Sequence, residues 1–196
     1  MRGFAVLLAL LLPASLAGQD ARLAERLDAS TAAAVQRMVD SAGRVGLPTE
    51  PLVQKALEGS TLGAPGDRIE AAVLTLYHQL GRAREALGGQ AGEAELTAAA
   101  GALRAGLQPA ALRRLQALRS GRPLVVPIAV LTDLVSEGMP PDEATQSVLA
   151  LARDGRPDDD FVALRREVQT RRRGAGPAGP LDRPPLRPAP DPPMER

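Results

Sequence analysis

The sequence predicts an all-α fold: an array or compact bundle of about seven to nine short helices joined by Gly-x-Pro turns, with a disordered Pro-rich C-terminal tail. Three observations carry that prediction. A glycine, often with a proline two or three residues on, recurs ahead of apolar segments: Gly46-Leu47-Pro48, Gly63-Ala64-Pro65, Gly106-Leu107-Gln108-Pro109, Gly121-Arg122-Pro123, Gly138-Met139-Pro140 and Gly155-Arg156-Pro157. Gly46 to Gly63, Gly121 to Gly138 and Gly138 to Gly155 are each 17 residues apart, a near-regular period of helix plus turn. No window alternates apolar and polar residues for long, so no strand is required.

The elements follow in order. From Ala21 to Val45 the apolar residues fall at helical spacing, with Ser30-Thr31 placed to restart or cap the second part. Thr49 has the chemistry of an N-cap, Glu50 and Pro51 suit the first turn, and Leu52, Val53, Ala56 and Leu57 form an apolar face. Gly59 is expected just past the end of that helix. Pro65 to Leu87 carries one stripe of Ile69, Val73, Leu76, Leu80 and Leu87, stopped by Gly88-Gly89. Glu93 to Ala105 is alanine-rich, and the glycine period is blurred there, leaving a step of 43 residues from Gly63 to Gly106. Pro109 opens a helix bearing Leu112, Leu115 and Leu118. Leu124 to Val135 is the most apolar segment, with Pro127 tolerable only in the first turn. Pro141-Asp142-Glu143 and Pro157-Asp158-Asp159-Asp160 open the last two helices, with acids at the positive pole of the helix dipole and arginines toward the other end.

The chain divides into three parts. Residues 1–17 read as a secretory signal peptide: Arg2, an apolar run from Phe4 to Leu12, a break at Pro13, and small residues at Ser15 and Ala17 for cleavage. The run is shorter than the roughly 20 residues that span a bilayer, so no transmembrane segment is expected in the mature chain. Residues 18–170 form the helical domain. Residues 171–196 form an Arg-, Pro- and Gly-rich tail. The expected location is outside the cytoplasm, periplasmic or secreted. The single lysine, with all other basic charge on arginine and heavy Ala, Leu and Gly usage, points to a GC-rich bacterial source.

Composition narrows the chemistry. There is no cysteine, which removes thiol nucleophiles and thiolate metal sites. The formal charge is +1 overall, but the signal segment and tail hold the surplus arginines, which leaves residues 18–170 mildly acidic. Such a body is a poor nucleic-acid ligand, because that affinity comes mostly from neutralised phosphates. Past the signal segment only Tyr77 and Phe161 are aromatic, so stacking platforms for bases or quaternary ammonium groups are scarce.

No catalytic motif stands out. His78 is the only histidine and lies off the apolar stripe of its helix. Asp158-Asp159-Asp160 lacks the alternating ligand spacing and glycine turn of a calcium loop, and the helix dipole accounts for it. Glu93 with Glu95, and Asp142 with Glu143, are too close in sequence to converge from a helix. No serine sits in a G-x-S-x-G elbow or an S-x-x-K pair. No metal or cofactor is expected.

Two clusters remain. Lys55, Glu58, Asp67 and Arg68 gather around the Gly59 and Gly63 turns, as an ion-pair network or as a binding loop between two helices. Arg171, Arg172 and Arg173 precede the Pro-rich tail and offer weak contact with an anionic surface. The resulting expectation is an exported, non-catalytic helical protein of the bacterial cell envelope that binds or scaffolds an unknown protein partner. The alternatives are a hydrolase built from scattered carboxylates with His78, and an envelope-attachment protein acting through its basic tail. The 17-residue period is half the length of a tetratricopeptide repeat, but that family's aromatic and small-residue signature is missing, and no characterised family is assigned. A working surface is expected where the period breaks, between Gly81 and Gly106, or beyond its end in the tail.

Overall fold

The computed structural model describes residues 20–174, and the signal segment expected at 1–17 and the tail beyond 174 lie outside them. Nine helices and no strand are present among the described residues: α1 (Ala21–Arg26), α2 (Ala29–Arg44), α3 (Glu50–Thr61), α4 (Gly66–Leu87), α5 (Glu93–Arg104), α6 (Pro109–Leu118), α7 (Val125–Ser136), α8 (Pro141–Arg153) and α9 (Asp158–Gly174).

All six glycines of the punctuation have positive φ, from +66° at Gly155 to +98° at Gly106. The reason is visible at Gly46, where the Leu47 N–H reaches the Ala42 carbonyl at 2.9 Å and the Gly46 N–H reaches the Gly43 carbonyl at 3.1 Å. This pair of bonds satisfies two carbonyls that the helix end leaves free, and it requires a left-handed residue. The same two bonds recur at Gly63, Gly106, Gly138 and Gly155. Gly121 differs: its turn is closed by the Arg122 N–H on the Arg119 carbonyl at 2.9 Å.

Several local expectations are corrected. Gly59 does not end α3; the helix runs on to Thr61, and Gly63 takes the left-handed position. Gly59 serves instead as a point of close approach, because a Cβ there would stand 2.8 Å from Ile69 Cγ1 on α4. Thr49 occupies the N-cap position but makes no side-chain capping bond. The first helical stretch breaks at Leu27, and Asp28 rather than Ser30-Thr31 caps α2, accepting from the Ser30 and Thr31 N–H groups. Leu118 is 41 % exposed, while the next residue, Arg119, turns inward. Arg171, Arg172 and Arg173 lie on the last turn of α9, so the helix continues past the expected domain boundary at 170.

The choice between array and bundle resolves to the array. In every extensive helix–helix contact a helix touches the next one or the next but one: α1 with α2 and α3, α2 with α3 and α4, α3 with α4, α4 with α5 and α6, α5 with α7, α6 with α8, α7 with α8 and α9, α8 with α9. The even helices α2, α4, α6 and α8 form one continuous row. The odd row runs α5, α7, α9 and separately α1, α3, with no extensive contact between α3 and α5. The break coincides with α4, which at 22 residues is nearly twice the length of α3 or α5 at 12.

The core is a continuous ribbon of Leu, Val and Ala from Leu23 to Val168, without a central plug. Val35, Leu52, Val73, Leu80, Leu112, Ile128, Leu134 and Phe161 are fully buried along it. Burial of such side chains is worth roughly 1.5–3 kcal/mol each, spread evenly over the array.

Candidate functional site

Arginines tie the turns together. Arg84 of α4 donates to the Gly46 carbonyl at the end of α2. Arg172 of α9 donates to the Glu137 carbonyl at the end of α7. Arg122 donates to the Gly155 carbonyl at 3.0 Å, past the end of α8. Arg84 and Arg172 come from the next helix but one and Arg122 from the α6–α7 loop, and each meets the negative pole of a helix. Arg119 goes further. Its side chain is 2 % exposed and donates to the Arg156 carbonyl at 3.1 Å and to Asp158 Oδ1 at 2.5 Å, with its guanidinium carbon 5.0 Å from the Phe161 ring centroid. A stretch of this chain's arginine surplus is therefore mortar between helices.

The Arg171–Arg173 cluster divides under the same rule. Arg171 pairs with Glu167 at 2.6 Å on its own helix, and Arg172 is used at the α7 end. Arg173 is exposed. The inner neighbours are stitched to α7 as well: Arg165 to Asp133 at 2.7 Å and Gln169 to Glu137 at 2.5 Å.

The acidic and histidine candidates are dispersed. Asp158 is taken by Arg119, and Asp160 pairs with Arg156 at 2.5 Å, while Asp159 is exposed. Glu95 accepts from the Leu124 N–H at 2.9 Å and from the Gly92 N–H at 3.2 Å, linking the start of α5 to the start of α7. His78 is exposed, its ring edge-on to Tyr77 at 5.6 Å, in a shallow hollow with Val45, Arg82 and Glu85. Among the described residues no group of three or more His, Asp or Glu is placed to hold a metal ion. No helix among them is long and apolar enough to cross a membrane.

The four-residue cluster at Lys55 separates in two. Lys55 Nζ pairs with Glu58 Oε2 at 2.8 Å, one turn apart on α3. Asp67 and Arg68 are exposed in the first turn of α4 and join no ion pair or side-chain hydrogen bond among the described residues. The expected network is thus a single pair. That pair stands on the wall of a groove.

The groove measures about 420 Å³ and lies where the odd row is interrupted. Each of three helices gives it one face. Pro51, Lys55 and Glu58 come from α3, whose opposite side buries Leu52, Val53 and Ala56. Ala72, Thr75, Leu76 and Gln79 come from α4 and form the floor. Thr97, Ala100, Gly101 and Arg104 come from α5. The spacings are i, i+3 or i+4, and i+7 on every face, so each helix borders the groove for two turns, about 10 Å of axis. The α5 wall is small except for Arg104, and the floor sets Ala72 and Thr75 beside Leu76 and Gln79. At Gly101 an added Cβ would meet nothing within 4 Å.

The charge at the rim is uneven. Lys55, and beyond it Arg104, hold the Glu58 carboxyl below its ordinary range. Lys55 is committed to that carboxylate. Arg104 is exposed at the end of α5 and enters no ion pair or side-chain hydrogen bond among the described residues. The groove therefore presents a floor with an apolar patch of Ala72 and Leu76 and, at its edge, one guanidinium free of ion pairs among the described residues.

Of the residues that line the groove, the sequence singles out Lys55 and Glu58, places Leu76 on the apolar stripe of α4, where it is in fact half-buried, and gives no notice of Arg104, Gly101 or Thr97. The available signal was the Thr97, Gly101, Arg104 series, small or polar residues at helical spacing beside the buried Leu96, Ala99, Ala100 and Leu103 of α5.

Comparison of the chain with protein-family models, curated proteins and solved structures finds no match.

Proposed function

We propose that this chain is an exported, non-catalytic helical scaffold of the bacterial cell envelope that binds another protein through the groove between α3 and α5. The observation that carries the reading is the interruption of the odd row. An array whose helices pack only on near neighbours displays long faces, and such faces commonly serve as protein-binding surfaces. Here one position in a row is left open, and the exposed side of α4 forms its floor. The signal-like segment at residues 1–17 supports export. The scattering of His78 and the carboxylates gives the hydrolase reading no constellation to build on. Engagement of Arg171 and Arg172 within α7 and α9 weakens attachment through the basic cluster.

The test is affinity capture from an envelope extract with the full chain as bait, at low and high salt. A protein recovered reproducibly at stoichiometric yield supports the reading. Recovery of nothing across the salt series overturns it.

A further inference from the structure

We propose that the groove receives one amphipathic helix of the partner protein, its small apolar side chains on Leu76 and Ala72 and a Glu or Asp side chain on Arg104. This rests on the protein-binding reading above and names the chemistry of the bound segment.

Shape points to a helix. The site is bounded by three helical faces over two turns, with α3 and α5 as walls and α4 as floor. In the rest of the odd row the place beside a helix is filled by its next but one neighbour, as α7 fills it for α5 and α9 for α7. Between α3 and α5 that packing is missing, so a helix laid there would restore the side-by-side arrangement of the array. Small residues at Ala72 and Gly101 permit a close backbone approach, and helix-in-groove binding reads anchors at i, i+3, i+4 and i+7. An aromatic anchor is not needed for such packing.

Charge points to an acid. The rim carries Lys55, Glu58 and Arg104. Lys55 and Glu58 satisfy each other at 2.8 Å. That leaves Arg104, whose planar fork matches a carboxylate through two parallel hydrogen bonds. A basic segment would meet Arg104 and Lys55 with only Glu58 to balance them.

The experiment uses a fluorescein-labelled, hydrocarbon-stapled 14-residue helix with an Ala/Leu stripe and two Glu residues at its edge. Its counterpart has Lys at the same two positions. Fluorescence anisotropy against the full chain is expected to show the Glu helix binding about tenfold tighter or more. Arg104→Glu should reverse that preference. Gly101→Leu should abolish binding of both helices by filling the wall. Arg104 is exposed and Gly101 has open space around it, so both variants should keep the wild-type circular dichroism and urea midpoint, which is measured alongside. Equal binding of the two helices, an unchanged preference in Arg104→Glu, or displacement of the Glu helix by succinate as efficiently as by unlabelled helix would overturn the inference. The last outcome would identify a small-molecule carboxylate site instead. In the capture experiment, recovery of one partner by wild type and by both variants alike would overturn the groove and leave the protein-binding reading standing. Recovery of no partner even by wild type would remove both.

Discussion

Arg119 and Asp158 close an ion pair across the α8–α9 turn, Nη2 to Oδ1 at 2.5 Å, with the arginine 2 % and the aspartate 38 % exposed. The same guanidinium lies over the Phe161 ring and reaches the Arg156 carbonyl, so one side chain just past the end of α6 fixes the entry of α9. Removing one partner of a buried pair costs roughly 3–5 kcal/mol, and partial exposure of the aspartate places this pair at the low end. Asp158→Ala is expected to cost about 3 kcal/mol in urea denaturation. Asp159→Ala, on an exposed neighbour without an ion pair, should stay within about 0.5 kcal/mol of wild type.

Two glycines separate backbone need from available space. Gly155 has φ +66° and Gly81 lies inside α4, and neither would offer a Cβ any atom within 4 Å. Gly155→Ala should destabilise by about 1 kcal/mol through the left-handed backbone alone. Gly81→Ala should stabilise by about 0.5–1 kcal/mol through helix propensity. Thermal melts of the two variants are expected to move in opposite directions.

Gly66 poses a steric requirement. A Cβ there would fall 2.1 Å from Thr31 Oγ1 and 3.3 Å from Asp28 Oδ2, at the contact between the starts of α2 and α4. Gly66→Ala must push the two helices apart or displace the Asp28 cap. The expected loss is about 1–3 kcal/mol. In the double variant Gly66→Ala, Thr31→Ala, much of that loss should return, which a denaturation cycle would measure.

Acid should loosen the N-terminal end first. Arg22 of α1 binds Glu50 of α3 through both nitrogens, at 2.9 and 2.8 Å, and Asp20 at 2.6 Å. Arg22, then Gln54, holds the Glu50 carboxyl down to about 2 from an ordinary 4.5. Arg22 also lowers Asp20, and the N–H and hydroxyl donors of Ser30 and Thr31 lower Asp28. A carboxyl lowered by folding stabilises the folded state above its ordinary value and loses that contribution as pH falls toward the folded one. The docking of α1 should therefore weaken between about pH 4.5 and 2. Hydrogen exchange in that window should accelerate at Leu23 to Leu27 while Leu131 and Leu134 stay protected. Glu50→Gln should produce the same local opening at neutral pH.

The helices were legible in the sequence because one device, glycine after the last turn, ends five of them with the same two hydrogen bonds. Where a second glycine lay close to the true stop, the helix end was misplaced. Gly59 looked like a helix stop because it lies in a stretch that also carries Gly63, and only the tertiary contact with Ile69 reveals its use. Nothing in the sequence singled out Arg119, since nothing local distinguishes a guanidinium that caps a distant turn from one in water. The groove was half legible. Lys55 and Glu58 drew notice as charges near a turn, while Arg104 lies 49 residues beyond Lys55 and meets it only across the gap between α3 and α5. The 43-residue step in the glycine period spans α4 and α5, and the groove borders both.

Packing limited to near neighbours also decides how the molecule comes together and comes apart. No helix waits for a partner from the far end of the chain, so loop-closure entropy stays small and contact order low, which places folding toward the fast end of the range for domains of this size. Such a chain has no single latch. Pulled by its ends, it should yield as a series of small steps rather than one rupture, and damage at α9 should leave the protection of α2 and α3 untouched.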